Sequence, residues 1–277
     1  MGMMAFTGWI LVTSVVAGLL GALTGLGGGV VIVPVLVLIF HVDMHYAIGA
    51  SLISVIATSS GAAAAYVRDG YSNVRIGIFL EVATTLGALL GAYLTAKIAT
   101  PAIGITFGLV LLYSAWSSFN RPPEELNVEH DSLASKLKLF GDYPVGNKRQ
   151  EYTARRVPLG FGLMFSAGTL SGLLGIGSGA VKVLAMDRAM SLPFKVSTTT
   201  SNFMIGVTAA ASAGLYLARG YVTPGLAAPV MLGVLIGSLI GSRTLVKINN
   251  RSLRLVFVLV IAVLGVEMIY SGATGRF

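Results

Sequence analysis

The sequence contains one plan twice. Residues 168–202, GTLSGLLGIGSGAVKVLAMDRAMSLPFKVSTTTSN, return in outline 150 positions earlier. The glycine-dense break Gly175-Ile176-Gly177-Ser178-Gly179 falls on Gly25-Leu26-Gly27-Gly28-Gly29. At the same offset Gly18 falls on Gly168, Ser51 on Ser201, Thr58 on Thr208 and Tyr66 on Tyr216. Gly70-Tyr71 falls on Gly220-Tyr221, Gly87 and Gly91 on Gly237 and Gly241, and Lys97-Ile98 on Lys247-Ile248. A register held without a gap over about eighty positions is an internal duplication. The fold must therefore be two copies of one unit.

The medium of that fold follows from charge. Only 11% of the residues are charged and 55% are hydrophobic, whereas a soluble domain carries about 25% charged residues. Apolar runs of about twenty residues recur along the chain, the signature of a polytopic helical membrane protein. The 35 glycines suit closely packed membrane helices. Cysteine is absent, which excludes disulfides, thiolate catalysis and thiolate metal sites. The net charge of +8 reads as excess Lys and Arg in cytoplasmic loops rather than as a nucleic-acid surface. No Lys or Arg precedes Arg68, so the positive region of a secretory signal is not evident and the first apolar run is expected in the mature protein.

Phe6–Phe40 carries no Asp, Glu, Lys or Arg over 35 residues. As one helix it would be about 50 Å long, against a hydrocarbon core of about 30 Å. It must break, and Gly27-Gly28-Gly29 is the place. The second arm, Val30–Phe40, is about 16 Å long, half a membrane, which predicts a helical hairpin with Pro34 early in its second arm. Spanning runs follow at Tyr46–Val67, Val74–Ile98 and Pro101–Phe119. The second copy repeats the plan with a broken segment, Pro158–Pro193, and runs at Val196–Leu217, Val222–Lys247 and Ser252–Tyr270. Trp9 and Trp116 lie near run ends, where an interfacial aromatic belt forms.

Asn120–Val157 between the copies holds 13 of the 30 charged residues and reads as a cytoplasmic linker. Asp131-Ser132 is expected to cap a short amphipathic helix through Phe140, with Leu133, Leu137 and Phe140 on one side. The expected organisation is a first transmembrane repeat at 1–119, the linker at 120–157 and a second repeat at 158–277. The fold class is all-α, two inverted repeats, each a glycine-interrupted hairpin plus three transmembrane helices. Inversion follows from charge: it puts fifteen of the nineteen cations on the linker face, with Lys97, Arg219 and Arg276 opposite and Lys182 within the membrane. Parallel halves would move Arg188, Lys195, Arg243, Lys247, Arg251 and Arg254 across and erase the bias. The linker face is then cytoplasmic and both termini are outside.

Paired glycine breaks in corresponding places of inverted halves point to a transport site. Irregular backbone at membrane depth must line a cavity or be buried in protein. A break frees N–H groups at a helix start, which favour an anion. Read this way, Gly27, Gly28, Gly29, Gly177, Ser178 and Gly179 hold substrate through backbone. Tight helix crossing is the competing reading for the same glycines.

Lys182 stands three residues past the second break, where the first copy has Ile32. The fold does not need its charge, and an ionisable group in an apolar run is a functional candidate. It is expected to face an anionic substrate, or to pair with Glu81 or Glu267. Thr200, Ser201 and Asn202 could donate to oxyanion oxygens, as could Ser51, the repeat mate of Ser201; helix capping and bonds to the helix's own backbone compete. Glu81, inside a spanning run, is a proton-coupling candidate. His41, Asp43 and His45 resemble a metal site only weakly, and no metal and no cofactor is expected. Neither H-E-x-x-H nor G-x-S-x-G occurs, so no enzyme is expected.

At these residues the chain resembles a known family. Thr24-Gly25-Leu26-Gly27-Gly28-Gly29 followed by Pro34 is similar to the first signature of the sulfite exporter TauE/SafE family, also called the toluene sulfonate uptake permeases. Ser171-Gly172-x-x-Gly175-x-Gly177-Ser178-Gly179 resembles its second, and Ala47–Thr58 and Val196–Asn202 resemble the segments that follow each. The chain departs from the pattern in Ser178 where glycine is usual, in Leu184 where the first signature has Pro34, and in the added Lys182. The resemblance implies a permease, an exporter in most members, for small sulfur-containing or organic anions such as sulfite and sulfonates. Expected partners are the bilayer of the cytoplasmic membrane and a small anionic substrate, with a homodimer left open and no nucleic acid. An anion channel through the same site is the alternative, an intramembrane enzyme the next.

Overall fold

The computed structural model describes residues 3–24, 28–68, 70–119, 131–145, 148–244 and 250–275. The first copy comprises α1 (Met3–Thr24), α2 (Gly29–Pro34) with a π-helical turn Val35–Ile39, α3 (Met44–Arg68), α4 (Val74–Thr95) and α5 (Thr100–Phe119). The linker holds α6 (Ser132–Lys136), β1 (Phe140–Val145) and β2 (Lys148–Thr153). The second copy comprises α7 (Val157–Leu174), α8 (Gly179–Leu184) with a π-helical turn Ala185–Ala189, α9 (Phe194–Ala218), α10 (Pro224–Thr244) and α11 (Asn250–Ala273).

The 150-residue register of the sequence is also a register of backbone. α2, its π turn, α3 and α9, and the starts of α4 and α5, all recur at that offset. So do the hydrogen bonds that end each hairpin: Phe40 N to Val35 O and Val42 N to Leu36 O, against Met190 N to Ala185 O and Leu192 N to Met186 O. His41 (φ 52°) and Ser191 (φ 53°) are both left-handed at the same place, as are Gly70 and Gly220. Each short arm returns to the face where its hairpin began. The rings of Phe6, at the start of α1, and Phe40 lie 5.7 Å apart edge-on. Arg155 N, just before α7, donates to Met190 O at 2.9 Å.

The copies interlock rather than sit side by side. α1 packs along α10 and α4 along α7, while α3 packs on α9 and α5 on α11. Repeated glycines make these seams. A β-carbon on Gly87 would run into the Phe165 carbonyl, and one on Gly168 into the Thr84 carbonyl. Gly237 meets the Val15 carbonyl of α1 in the same way. Small residues let helix backbones touch where lipid offers no hydrophobic drive to associate. Large apolar side chains also face outward: Ile78, Val82, Leu86 and Tyr93 are exposed along one stripe of α4, and Leu259, Val263, Val266 and Tyr270 along α11. Among the described residues α4, α7 and α9 are long and apolar enough to cross a bilayer. Trp9 and Trp116 are both exposed. This is a helical membrane protein.

The linker differs from expectation in two respects. It is not all-helical: β1 and β2 form an antiparallel hairpin with Phe140 opposite Thr153 and Val145 opposite Lys148. The two residues between the strands read Gly-Asn, a hairpin signal that the helical reading of 131–140 passed over. Asp131 does cap α6, its carboxylate accepting from Leu133 N at 2.9 Å, but the helix ends at Lys136. Leu133, Leu137 and Phe140, expected to form the packed side, are all exposed. Ala134, Leu139, Tyr143 and Tyr152 are buried instead, against Ile76, Leu80 and Met190. The helix stops at Lys136 and the backbone turns left-handed at Lys138 (φ 54°), so a helical period carried on to Phe140 selects the wrong face.

Asn73 joins this cap to the helices. Its side-chain oxygen accepts from Ile76 N at the start of α4, and its amide donates to the Tyr152 hydroxyl at 2.9 Å and to Phe140 O at 3.3 Å. Burial pushes the Tyr152 phenol above its ordinary range, opposed by the hydrogen bond from Asn73.

Candidate functional site

The site is built where α3 meets α9, with the tips of both hairpins against them. Gly27 lies outside the described residues. Gly28 is the residue before α2 and has ordinary helical torsions. The second break is more contorted. Gly175 (φ 68°) closes α7, Gly177 has φ 67°, and Ser178 (φ 46°) precedes α8. A left-handed torsion costs a residue with a β-carbon about 1–2 kcal/mol. That cost falls on Ser178, at the position where the family signature has glycine.

The two breaks touch. Ser51 Oγ on α3 donates to Gly175 O at 2.8 Å. A β-carbon on Gly29 would stand 2.6 Å from that same Oγ and 3.1 Å from Gly175 O. A β-carbon on Gly177 would meet Ile205 of α9 at 2.7 Å and Val55 of α3 at 3.3 Å. Glycine is required here for close approach, whatever else the breaks do.

The hydroxyl run at the start of α9 is largely engaged with backbone. Thr200 Oγ1 accepts from Asn73 N at 3.0 Å. Thr199 Oγ1 reaches Tyr71 O at 2.9 Å as well as its own helix. Ser201 Oγ donates to Gly179 O at 3.3 Å, and Asn202 is half-buried. Three other hydroxyls near the second break, of Ser171, Ser178 and Thr198, are buried without a hydrogen-bond partner. The loop candidates are occupied with each other: His45 Nδ1 lies 3.1 Å from Asp43 Oδ1, and the His45 ring stacks on Tyr221.

Lys182 is wholly buried. Its ammonium donates to Thr208 Oγ1 on α9 at 2.5 Å, and Thr208 Oγ1 lies 2.6 Å from Glu81 Oε1 on α4. The Thr208 hydroxyl has one hydrogen, for which Met204 O at 3.0 Å competes. Glu81 Oε1 is the nearer of the two acceptors, so it takes that hydrogen. Thr85 donates a second bond to Glu81 Oε1 at 3.1 Å. Glu81 Oε2 is buried with no partner, and the residue is 7% exposed. Of the two pairings expected for Lys182, the structure shows the one with Glu81, bridged by a hydroxyl.

Pseudo-symmetry gives this cluster a counterpart. At the 150-residue offset Lys182, Thr208 and Glu81 correspond to Ile32, Thr58 and Met231. In the first copy Ile32 is wholly buried and Thr58 bonds back to Ser54 O of its own helix. The same fold therefore carries Ile32, Thr58 and Met231 in one copy's positions and Lys182, Thr208 and Glu81 in the other's. Sequence reading missed Thr208 as a site residue. The available signal was a hydroxyl within an apolar helix, 26 residues after Lys182.

Comparison with known proteins agrees with this architecture. Residues 10–268 match the family Sulfite exporter TauE/SafE. The chain is 26% identical over 272 residues to the probable membrane transporter protein YunE of Bacillus subtilis, covering 95% of this chain and 97% of that one. It is 26% identical over 238 residues to the probable membrane transporter protein YdhB of the same organism, covering 84% and 88%. A probable membrane transporter protein of Methanocaldococcus jannaschii is 24% identical and covers 94% of each chain. No solved structure matches the chain. A match across nearly the whole chain, on a helical membrane fold with paired glycine breaks, places the protein in the sulfite exporter TauE/SafE family, a family of membrane transporters.

Proposed function

We propose that this protein carries small sulfur-containing or organic anions, such as sulfite and sulfonates, across the cytoplasmic membrane, in the export direction that the family description names. One observation carries the reading. The two breaks meet at Ser51 and Gly175, and among the described residues the wholly buried cation is Lys182, three residues past Gly179. An uncompensated anion there would cost several kcal/mol, and a fixed ammonium with polar backbone lowers that cost. Gly177, Ser178 and Gly179 with Lys182 form the more polar wall, in which the Ser178 hydroxyl is buried without a partner. Gly28, Gly29 and Ser51 form the other wall.

The repeats are inverted in this reading. Each hairpin returns to its starting face and three helices follow, so each copy crosses an odd number of times. The repeats are residues 1–119 and 158–277, and the 120–157 linker lies on the cytoplasmic face with most of the cations. Movement of one repeat against the other opens the central contact to each face in turn. α9 is tied to the first copy at both ends, by Thr199 and Thr200 to Tyr71 and Asn73, and by Arg219 Nη1 to Ala92 O at 2.6 Å. These ties are the ones that must break alternately.

The test is binding of sulfite, sulfate, thiosulfate, sulfoacetate, taurine and acetate to purified protein, beside Lys182→Ala and the charge-neutral pair Lys182→Met/Glu81→Gln. Selective binding of one anion, weakened at least tenfold in both variants, supports the site. Equal binding by wild type and variants moves the counter-charge elsewhere. If wild type binds none of the panel, the anion reading fails.

A further inference from the structure

The Lys182–Thr208–Glu81 cluster holds more than an anion site requires. Lys182 alone would supply the counter-charge for an anion. Glu81 neutralises it, and does so from the other half of the molecule. Glu81 is on α4 and Lys182 on α8, with Thr208 of α9 between. Both ionised groups stand where the other copy has an apolar residue, Ile32 for Lys182 and Met231 for Glu81. The fold closes without them, yet each is costly at membrane depth. They are present as a set, and the set is incompletely bonded: Glu81 Oε2 is buried with no partner.

We infer that Glu81 is a proton site linked to the anion site through Thr208, so that one proton is bound with each monovalent anion. This rests on the anion reading above and names its coupling ion. Without cargo, the Lys182 ammonium and the Glu81 carboxylate sum to zero charge. An arriving anion takes Lys182 as its partner. Glu81, losing that neutralisation inside protein, accepts a proton on its open Oε2. The loaded site then holds an ammonium, an anion and a neutral carboxylic acid, again summing to zero. Both forms that must cross between the two faces are uncharged, which avoids moving net charge through a medium of low dielectric. The Thr208 hydroxyl reorients as this happens: it donates to the carboxylate in the empty site, and Met204 O, 3.0 Å away, takes its hydrogen when the acid forms. Net transport is electroneutral for a monovalent anion, and its direction follows the product of proton and anion concentrations on the two faces.

The surroundings leave few other sites for that proton. The helices packed on α4 are α7 and α9. α7 has no ionisable side chain, and α9 has Lys195 near its start and Tyr216 near its end, with Arg219 just beyond. On α4 itself Arg75 and Tyr93 lie toward opposite ends, and past α8 the π turn bears Asp187 and Arg188. Among the described residues, the ionisable group that a bond path joins to Glu81 is Lys182.

The experiment is proton uptake on anion binding, read with a pH dye in weakly buffered detergent solution. The full-length protein is given methanesulfonate, thiosulfate and sulfoacetate in turn, none of which is a weak acid with its proton near neutrality. Expected for wild type is about one proton taken up per bound methanesulfonate, the monovalent anion of the three, and at least one per bound thiosulfate or sulfoacetate, which are divalent. Affinity should fall about tenfold per pH unit between the pH at which Glu81 of the empty site loses its proton and the higher pH at which Glu81 of the loaded site does. Glu81→Gln is expected to take up no proton and to lose the pH slope, whatever its absolute affinity. Anion binding to wild type without proton uptake overturns the inference while leaving the anion reading intact. A pH slope and proton uptake that persist in Glu81→Gln overturn it too, since the proton then sits elsewhere. If Glu81→Gln does not fold, the wild-type stoichiometry decides, with Thr208→Val, which takes a donor from the Glu81 carboxylate, expected to shift the slope to higher pH and Thr208→Ser to restore it. Absence of binding by any of the three anions sinks the anion reading and this inference with it.

Discussion

Lys182 and Glu81 share one hydroxyl. Thr208 Oγ1 lies 2.5 Å from the Lys182 ammonium and 2.6 Å from Glu81 Oε1, so two charges from opposite halves are joined inside the membrane fold without touching. Breaking such a pair from one side leaves a buried charge with no compensation, at about 3–5 kcal/mol, whereas removing both partners is often close to neutral. Lys182→Met and Glu81→Gln should each lower the thermal unfolding midpoint of the solubilised protein, and the double substitution should recover most of the loss. A double variant as unstable as the sum of the singles would show that the two residues do not interact.

Thr208→Val keeps the shape of the side chain and removes its bond to both ions. The expected cost is about 1–3 kcal/mol, that of leaving charged groups without a hydrogen-bond partner. Thr208→Ser should cost less than half as much. Thr58→Val, at the equivalent position of the first copy, loses only a bond to its own helix, and unfolding measurements should place it within about 0.5 kcal/mol of wild type.

Ser178 combines a left-handed torsion with a buried hydroxyl that has no partner. Ser178→Gly relieves both and should stabilise the protein by about 1 kcal/mol. If the hydroxyl serves the anion, the same variant binds its anion several-fold more weakly. A higher unfolding temperature with unchanged affinity would remove Ser178 from the site.

The α4–α7 seam separates packing glycines from free ones. A β-carbon on Gly87 would collide with the Phe165 carbonyl, and one on Gly172 with the Ala88 carbonyl, whereas Gly162 has nothing within 4 Å. Gly87→Val should abolish monodisperse protein on gel filtration in detergent, and Gly162→Ala should be within about 1 kcal/mol of wild type. Comparable yields for both would mean that the seam is not as tight as the backbone contacts require.

Asn73 holds the linker hairpin to the start of α4 through three hydrogen bonds. Asn73→Ala removes a helix cap and the anchor of Tyr152, at about 1–2 kcal/mol. Limited proteolysis within residues 131–153 should accelerate several-fold, while cleavage elsewhere stays unchanged. An unaltered digestion rate would show that the buried face of Leu139 and Tyr143 suffices to hold the hairpin.

What the sequence determined by itself is what local chemistry and repetition can encode. The duplication, the helical membrane class, the break in each long apolar run and the cap at Asp131 were all legible. Each depends on composition, on spacing or on a few adjacent residues. The 150-residue register even anticipated Gly87, Gly168 and Gly237, although not that carbonyls of the opposite copy sit against them. The resemblance of the two glycine signatures gave the family, which the match over residues 10–268 then showed.

Tertiary structure alone decided which polar groups meet. Thr208 and Glu81 are 127 residues apart, and Ser51 and Gly175 are 124. No periodicity in one segment reports on another that distant. Sequence offered Thr200 and Ser201 as oxyanion donors or as caps of their own helix; their actual partners, Asn73 N and Gly179 O, belong to other elements. The β-hairpin was misread for a related reason: its strands are short, and their burial is set by helices that arrive from both copies. In a fold whose backbones satisfy themselves within each helix, polar side chains that do not bond back to their own helix find partners across helices, and that pairing is fixed by how the helices pack.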